Sequence, residues 1–149
     1  MKKLVTLILL TIVGVGTLFN TLIAADTAMH KVAIHVDEND PARMNMALNN
    51  VANVNKYYES IGESVEIELV AYGPGLHMFR TDTSPVKDRI SVLSLEIDNL
   101  TFSACGNTHN AMQKKAGKDI VLVDEANVVP SGVVQLISLQ EKGYAYVRP

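Results

Sequence analysis

Apolar and polar positions along the chain follow two spacings that replace each other in turn. Some short segments are nearly continuous in apolar residues, or alternate with polar ones, which is typical of β-strands. These predicted strands are residues 31–36, 64–72, 100–105 and 144–147. Within the second strand, Glu66 and Glu68 alternate with apolar residues, so both carboxylates are expected on the face opposite the core.

Longer segments between these strands repeat apolar residues every three or four positions, which indicates amphipathic helices. The first helix is expected to begin at Asp40-Pro41, an N-cap followed by proline, and to end at Gly62. Its apolar face comprises Met44, Ala47, Leu48, Val51, Val54, Tyr58 and Ile61. Further helices are expected to begin at Ser84-Pro85, Gly106-Asn107-Thr108 and Pro130-Ser131-Gly132.

One more strand has two possible positions. Residues 120–123 have the stronger β propensity, whereas residues 127–129 could equally pair with the sheet. Either choice gives four to five βα units, which predicts an α/β fold: a three-layer α/β/α sandwich around a mostly parallel five-stranded sheet. No internal repeat or linker divides the chain, so residues 30–149 are expected to form a single domain.

The first 24 residues have the pattern of a secretory signal peptide. Lys2 and Lys3 precede an apolar run at 4–19, and small residues follow it, so cleavage is expected near Ala24 or Ala25. An uncleaved anchor is the alternative, but the run is shorter than the ~20 residues that a membrane span needs. We therefore expect a periplasmic protein without membrane attachment after cleavage.

Charge and motif content exclude several classes of function. The formal net charge is −3, and a net-negative surface repels phosphate backbones, so nucleic acid is not expected as a partner. The phosphate-loop, G-x-G-x-x-G and G-x-S-x-G motifs are absent from the sequence. No cofactor is therefore expected.

Cys105 is the single cysteine, so a disulfide within one chain is excluded. It closes a predicted strand and precedes a helix whose first turn offers unpaired N–H groups and a partial positive charge. This environment favours thiolate over thiol. Gly106 lets a reacting partner approach closely, and His109 is a candidate charge or proton partner. The alternative is a buried, inert cysteine.

Several loops are expected to converge around this cysteine, because the carboxyl ends of parallel strands meet at one edge of a sheet. The converging segments are residues 37–39, 73–75 with His77, 105–107 and 130–132. A metal site of Cys105, His109 and His77 is conceivable there. No metal-ligand spacing supports it, so no metal is expected.

Four short motifs occur in an order and spacing that resemble the DsrE/DsrF-like family, and more narrowly its exported single-domain branch. They are YGPGL at 72–76, FSACGNT at 102–108, VVPSGV at 128–133 and GYAYV at 143–147. The resemblance implies a DsrE-like (YchN-like) fold that assembles into trimers or hexamers. The family pattern also places the fourth strand at residues 127–129.

Cytoplasmic members of that family carry sulfur as a persulfide on a cysteine at the end of the third strand and pass it to partner proteins. Cys105 occupies the corresponding position, so the resemblance implies the same role, although this chain is expected to be exported. The leading hypothesis is a sulfur carrier or sulfurtransferase-like protein with sulfur donor or acceptor proteins as partners. Its expected substrate pocket comprises Gly73, Gly75, His77, Gly106, Asn107, Ser131 and Gly132. The alternative is a non-enzymatic, oligomeric module that binds a small ligand or partner and has a structural Cys105.

Overall fold

A five-stranded, fully parallel sheet forms the centre of the computed structural model, which describes residues 29–149. The predicted signal peptide, residues 1–24, lies outside the described residues. The strands are β1 (Met29–Val36), β2 (Ser64–Ala71), β3 (Leu100–Cys105), β4 (Ala126–Val129) and β5 (Ala145–Val147). Their spatial order is β4-β3-β2-β1-β5, so the chain begins near the middle and builds outward in both directions.

Four α-helices and one 3₁₀ segment connect the strands. The α-helices are α1 (Pro41–Ser60), α2 (Lys87–Glu96), α3 (Gly106–Ala116) and α4 (Gly132–Glu141), and the 3₁₀ segment is Gly73–Phe79. Asp40 caps α1 as predicted, since its carboxylate accepts a hydrogen bond from the Ala42 N–H at 2.8 Å. None of the helices within residues 29–149 has the length and apolar character needed to cross a membrane.

The two faces of the sheet are covered unequally. The large core lies on one face, where α1, α2, α3 and the 3₁₀ segment pack against the inward residues of β1, β2 and β3. The opposite face is covered by α4, whose Leu136 and Leu139 pack on Ala33, Val70 and Tyr144. This asymmetry follows from connectivity. The steps from β1 to β4 all run in one direction, whereas the β4-to-β5 connection returns across the sheet.

The fourth strand is β4 at Ala126–Val129, which agrees with the family pattern and not with the stronger β propensity of residues 120–123. Those residues pair with the end of the 3₁₀ segment instead. The Val123 N–H donates to the Phe79 carbonyl at 2.8 Å, and Arg80 and Leu122 form an isolated antiparallel bridge. Their apolar character therefore fills the core beside the sheet.

The predicted start of the second helix was wrong. Helix α2 begins at Lys87, and Ser84 lies in the preceding turn, where its hydroxyl accepts a hydrogen bond from the Val86 N–H at 3.2 Å. Glu66 and Glu68 lie on the face opposite the large core, as the alternation of β2 predicted, but Glu68 is buried there. The cause is α4, which covers that face of the sheet and is distant from β2 in sequence.

Candidate functional site

Cys105 lies where two helices begin. It is the last residue of β3 and the N-cap of α3, and its Sγ accepts a hydrogen bond from the Thr108 N–H at 3.5 Å. It points to the α4 face of the sheet, because side chains alternate along β3 and Phe102 and Ala104 belong to the opposite core.

The first residue of α4 packs directly against this thiol. A Cβ atom built on Gly132 would lie 3.1 Å from the Cys105 Cβ and 2.9 Å from the Tyr72 Cβ. Glycine at this position therefore allows the backbone of α4 to approach both side chains. Two helix N-termini, those of α3 and α4, consequently converge on one sulfur atom, and each contributes a partial positive charge.

The environment of Cys105 lowers the pKa of its thiol below the ordinary value of 9.0. Burial is the largest single influence and raises the pKa, because it disfavours a charged sulfur. The Thr108 side chain and the backbone N–H groups of Gly132, Thr108 and Asn107 act in the opposite direction, and together they prevail. The donors therefore stabilise the thiolate form of Cys105 relative to an ordinary cysteine.

Access to the sulfur is narrow. Cys105 is only 4 % exposed. A shallow depression of about 400 Å³ lies along α3, where Asn107 and Thr108 line it, but Cys105 itself does not. Lys115 supplies the positive charge of the depression, and no acidic residue lines it.

The structure places most of the predicted pocket glycines close to Cys105 as packing positions. Gly73 donates its N–H to the Thr108 hydroxyl at 3.0 Å, which links the 3₁₀ segment to the first turn of α3. A Cβ on Gly106 would lie 3.0 Å from the Val129 carbonyl oxygen, and the Asn107 N–H donates to the Pro130 carbonyl at 3.2 Å. Ser131 is the N-cap of α4, without a side-chain hydrogen bond to the helix. Gly75 lies further away, against the end of β1.

The two histidines expected near the site have other hydrogen-bond partners. The His109 Nε2 lies 2.7 Å from the Ile120 carbonyl oxygen, on the connection towards β4. The His77 Nδ1 lies 3.0 Å from the Thr83 hydroxyl. The role of His109 as a proton partner stays a prediction. Within residues 29–149, no group of three or more His, Cys, Asp or Glu side chains is arranged to hold a metal ion.

An aromatic row that the sequence did not indicate continues from Tyr72 along the α4 face, with the buried His35 at its centre and the exposed Tyr146 at its end. The His35 ring stacks on Tyr72 with 4.5 Å between ring centroids, and its Nδ1 lies 2.7 Å from the Tyr146 hydroxyl. The His35 Nε2 is buried and has no hydrogen-bond partner among the described residues. The only sequence signal was that His35 is a polar residue inside an apolar strand.

We expect His35 to make the fold sensitive to acid. Its pKa is lowered from 6.5, chiefly because burial disfavours the imidazolium, with Asp37 raising it and Arg148 lowering it. As the pH falls below about 6.5, the unfolded chain binds a proton that the native chain does not, so stability decreases until the native pKa is passed. Denaturant unfolding at pH 7 and pH 5 measures this loss.

Substitution identifies the group responsible. His35→Phe keeps a ring on Tyr72 and should reduce the difference between the two pH values. The control is His77→Gln, because the pKa of His77 is also lowered, mainly by burial, and this second histidine should account for only part of the effect. An unchanged pH dependence in His35→Phe would refute the assignment.

The fold and site together define a class: an α/β protein with a parallel sheet and a hydrogen-bonded thiol at the carboxyl edge. The family model for the DsrE/DsrF-like family matches residues 30–149, and the chain belongs to this family. Among solved structures, it is similar to the protein of unknown function MTH1491 from Methanobacterium thermoautotrophicum. The two are 36 % identical, with a TM-score of 0.69, over 80 % of this chain and 99 % of that one. No curated protein matches the sequence significantly.

Proposed function

We propose that this DsrE-family protein carries sulfur as a persulfide on Cys105. The thiolate attacks the sulfane sulfur of a donor, a new S–S bond forms, and the remainder of the donor leaves with the electron pair of the broken bond. With thiosulfate the leaving group is sulfite. An acceptor thiolate then attacks the terminal sulfur and releases Cys105 as thiolate, so no separate oxidant or reductant is required.

The observation that carries this proposal is the set of donors around the sulfur. The backbone N–H groups of Asn107, Thr108 and Gly132 stabilise negative charge at Cys105 against the effect of burial. The same donors would stabilise the thiolate as attacking group and again as leaving group. A cysteine that only filled space would not need them.

The depression beside the site supports an anionic donor. Its lining combines the exposed residue Lys115 with Asn107 and Thr108, which belong to the first turn of α3, the helix that Cys105 caps. Thiosulfate and polysulfides are small anions, so a positive charge would raise their local concentration. Large reagents would be excluded, because Cys105 itself is nearly buried.

Intact mass spectrometry tests the proposal, because the chain has one cysteine and an added sulfur atom is therefore assigned without ambiguity. After incubation with polysulfide or thiosulfate, the native chain should gain the mass of one sulfur atom, and a reducing thiol should remove it. A native chain that reacts with a small alkylating agent but never gains sulfur would contradict the proposal.

The near-complete burial of Cys105 favours a second candidate, a non-enzymatic module that binds a small ligand or a partner. In that case the thiol stays unreactive in the native chain and reacts only after denaturation. The same mass measurement distinguishes the two functions, since the carrier gains sulfur without denaturant and the binding module does not.

The protein is also proposed to assemble with copies of itself as a trimer or hexamer. Exposed apolar residues on α4 and β5, the side of the sheet with one covering helix, support this arrangement. They are Val133, Val134, Ile137, Tyr146 and Val147. Because α4 begins beside Cys105, such an interface would lie next to the site. The proposed location is the periplasm, which rests on the predicted signal peptide, and the proposed partners are sulfur donor or acceptor proteins.

Light scattering after size exclusion tests this assembly. The native chain is expected to elute as a trimer or hexamer, and Ile137→Lys should dissociate it. Leu95→Lys is the matched control, since Leu95 is an exposed apolar residue on α2, across the sheet from α4. A monomeric native chain would refute the assembly.

A further inference from the structure

A buried polar network lies beneath α4, two residues before Cys105 along β3. Glu68 and Ser103 are 8 % and 1 % exposed, and the Ser103 hydroxyl donates to the Glu68 Oε1 at 2.5 Å. The Gln135 side-chain amide, from α4, donates to the same oxygen at 2.7 Å. Three elements, β2, β3 and α4, are therefore joined at one carboxylate oxygen.

This carboxylate has no ionic partner in the part of the chain that the structure describes, where no Lys, Arg or His nitrogen lies within 4.0 Å of it. A buried carboxyl group is costly unless it is hydrogen-bonded. An apolar residue at position 68 could be buried beneath α4 at a lower cost in free energy, as Ala33 and Val70 are beside it. Burial of apolar surface therefore does not explain why polar side chains occupy this position.

Its geometry indicates a positioning role. Gln135 follows Gly132 by three residues, so both lie on the same side of the first turn of α4. The Gln135 N–H donates to the Ser131 carbonyl at 2.9 Å, which includes Gln135 in that turn. The hydrophobic contacts of α4 with the sheet come from Leu136 and Leu139, further along the helix. Gln135 is thus the polar attachment nearest to Cys105.

We propose that Glu68, Ser103 and Gln135 position the first turn of α4 so that the Gly132 N–H reaches the Cys105 sulfur. They are positioning residues, because Gly132 and not the network packs against Cys105. This proposal rests on the proposed function, because sulfur carriage is the reason for stabilising the Cys105 thiolate. Hydrogen bonds weaken steeply with distance and angle, so a small displacement of α4 would remove one of the donors.

The test compares two Gln→Leu variants on the same helix. Gln135→Leu breaks the attachment, whereas Gln140→Leu removes an exposed side chain that bonds only to the Leu136 carbonyl of α4 itself. The rate of alkylation of Cys105 by iodoacetamide is measured across pH. The pH at which the alkylation rate is half-maximal, the midpoint, should be higher in Gln135→Leu than in the native chain. The rate at pH 7 should fall about three- to tenfold. Gln140→Leu should match the native chain.

Glu68 provides a conservative rescue. Glu68→Gln keeps an oxygen acceptor for both donors, and its midpoint should not exceed that of the native chain, whereas Glu68→Leu should behave like Gln135→Leu. A loss of stability alone would not shift the midpoint. If Gln135→Leu does not fold, Ser103→Ala replaces it, because it removes one hydrogen bond from the same oxygen.

The outcomes separate this proposal from the carrier function when sulfur loading is measured in parallel. An unchanged midpoint in Gln135→Leu, or an equal shift in Gln140→Leu, overturns the positioning role even if the native chain loads sulfur. A shifted midpoint in Gln135→Leu together with a native chain that loads no sulfur supports the positioning role and overturns the carrier.

Discussion

Replacing Cys105 with serine is expected to abolish sulfur loading while leaving the fold intact. A serine hydroxyl does not ionise near neutral pH and forms no persulfide, so the variant should gain no mass from polysulfide. Stability should change little, by about 1 kcal/mol or less, because serine is a preferred N-cap and its oxygen can accept the Thr108 N–H that Cys105 Sγ accepts now. Intact mass and denaturant unfolding measure the two effects.

Cys105→Ala is the matched control for the capping role. Alanine removes both the nucleophile and the cap, so this variant should lose loading and also about 1 kcal/mol of stability. Persistent sulfur addition to Cys105→Ser would show that the sulfur is held elsewhere, and the proposal would fail.

The largest loss of stability is expected from Gly75→Ala. A Cβ at this position would lie 2.3 Å from the Val36 carbonyl oxygen and 2.8 Å from the Asp37 Cα. Both are backbone atoms at the end of β1, so no side chain can rotate away. The 3₁₀ segment would have to move, and we expect a loss of about 3 kcal/mol or more in the free energy of unfolding.

Gly117→Ala separates this steric effect from an ordinary glycine effect. Gly117 ends α3 with a φ of 66°, and a Cβ there meets no atom within 4 Å. Gly117→Ala should lower the free energy of unfolding by only about 1 kcal/mol, because alanine is strained in the left-handed backbone conformation. Denaturant unfolding of both variants measures the difference, and equal losses would show that the close approach of Gly75 to β1 is tolerated.

The sequence predicted the parts of the fold that local rules govern. The last residue of β3 and the start of α3 were predicted at the observed positions, because a buried strand runs directly into a helix at Cys105-Gly106. The N-cap of α1 at Asp40 has an equally local cause. The position of Cys105 at the carboxyl edge followed from parallel topology alone.

The remaining features depend on contacts between distant segments. Residues 120–123 have strong β propensity, but the end of the 3₁₀ segment pairs with them outside the sheet. Glu68 was expected only to lie on the face opposite the core, and the return of α4 across the sheet buries it there. Local pattern carries no information about which face a later helix will cover.

The same limit applies to the site. Gly132 follows Cys105 by a full helix and strand, so its approach to the sulfur was expected only as one of several converging loops. His109 lies on the same helix as the thiol, yet its Nε2 bonds to the Ile120 carbonyl. His35 and Tyr146 are brought together by the pairing of β1 with β5, the first and last strands of the described chain.

Sulfur carriage requires a native Cys105 whose thiol has a pKa below the ordinary cysteine value and is open to small reagents. The most direct measurement is the rate of reaction of the native chain with iodoacetamide as a function of pH, compared with the same chain in denaturant. We predict measurable native reaction with a midpoint below that of the denatured chain. A native thiol that reacts only after denaturant is added, or whose midpoint equals or exceeds the denatured value, would contradict it.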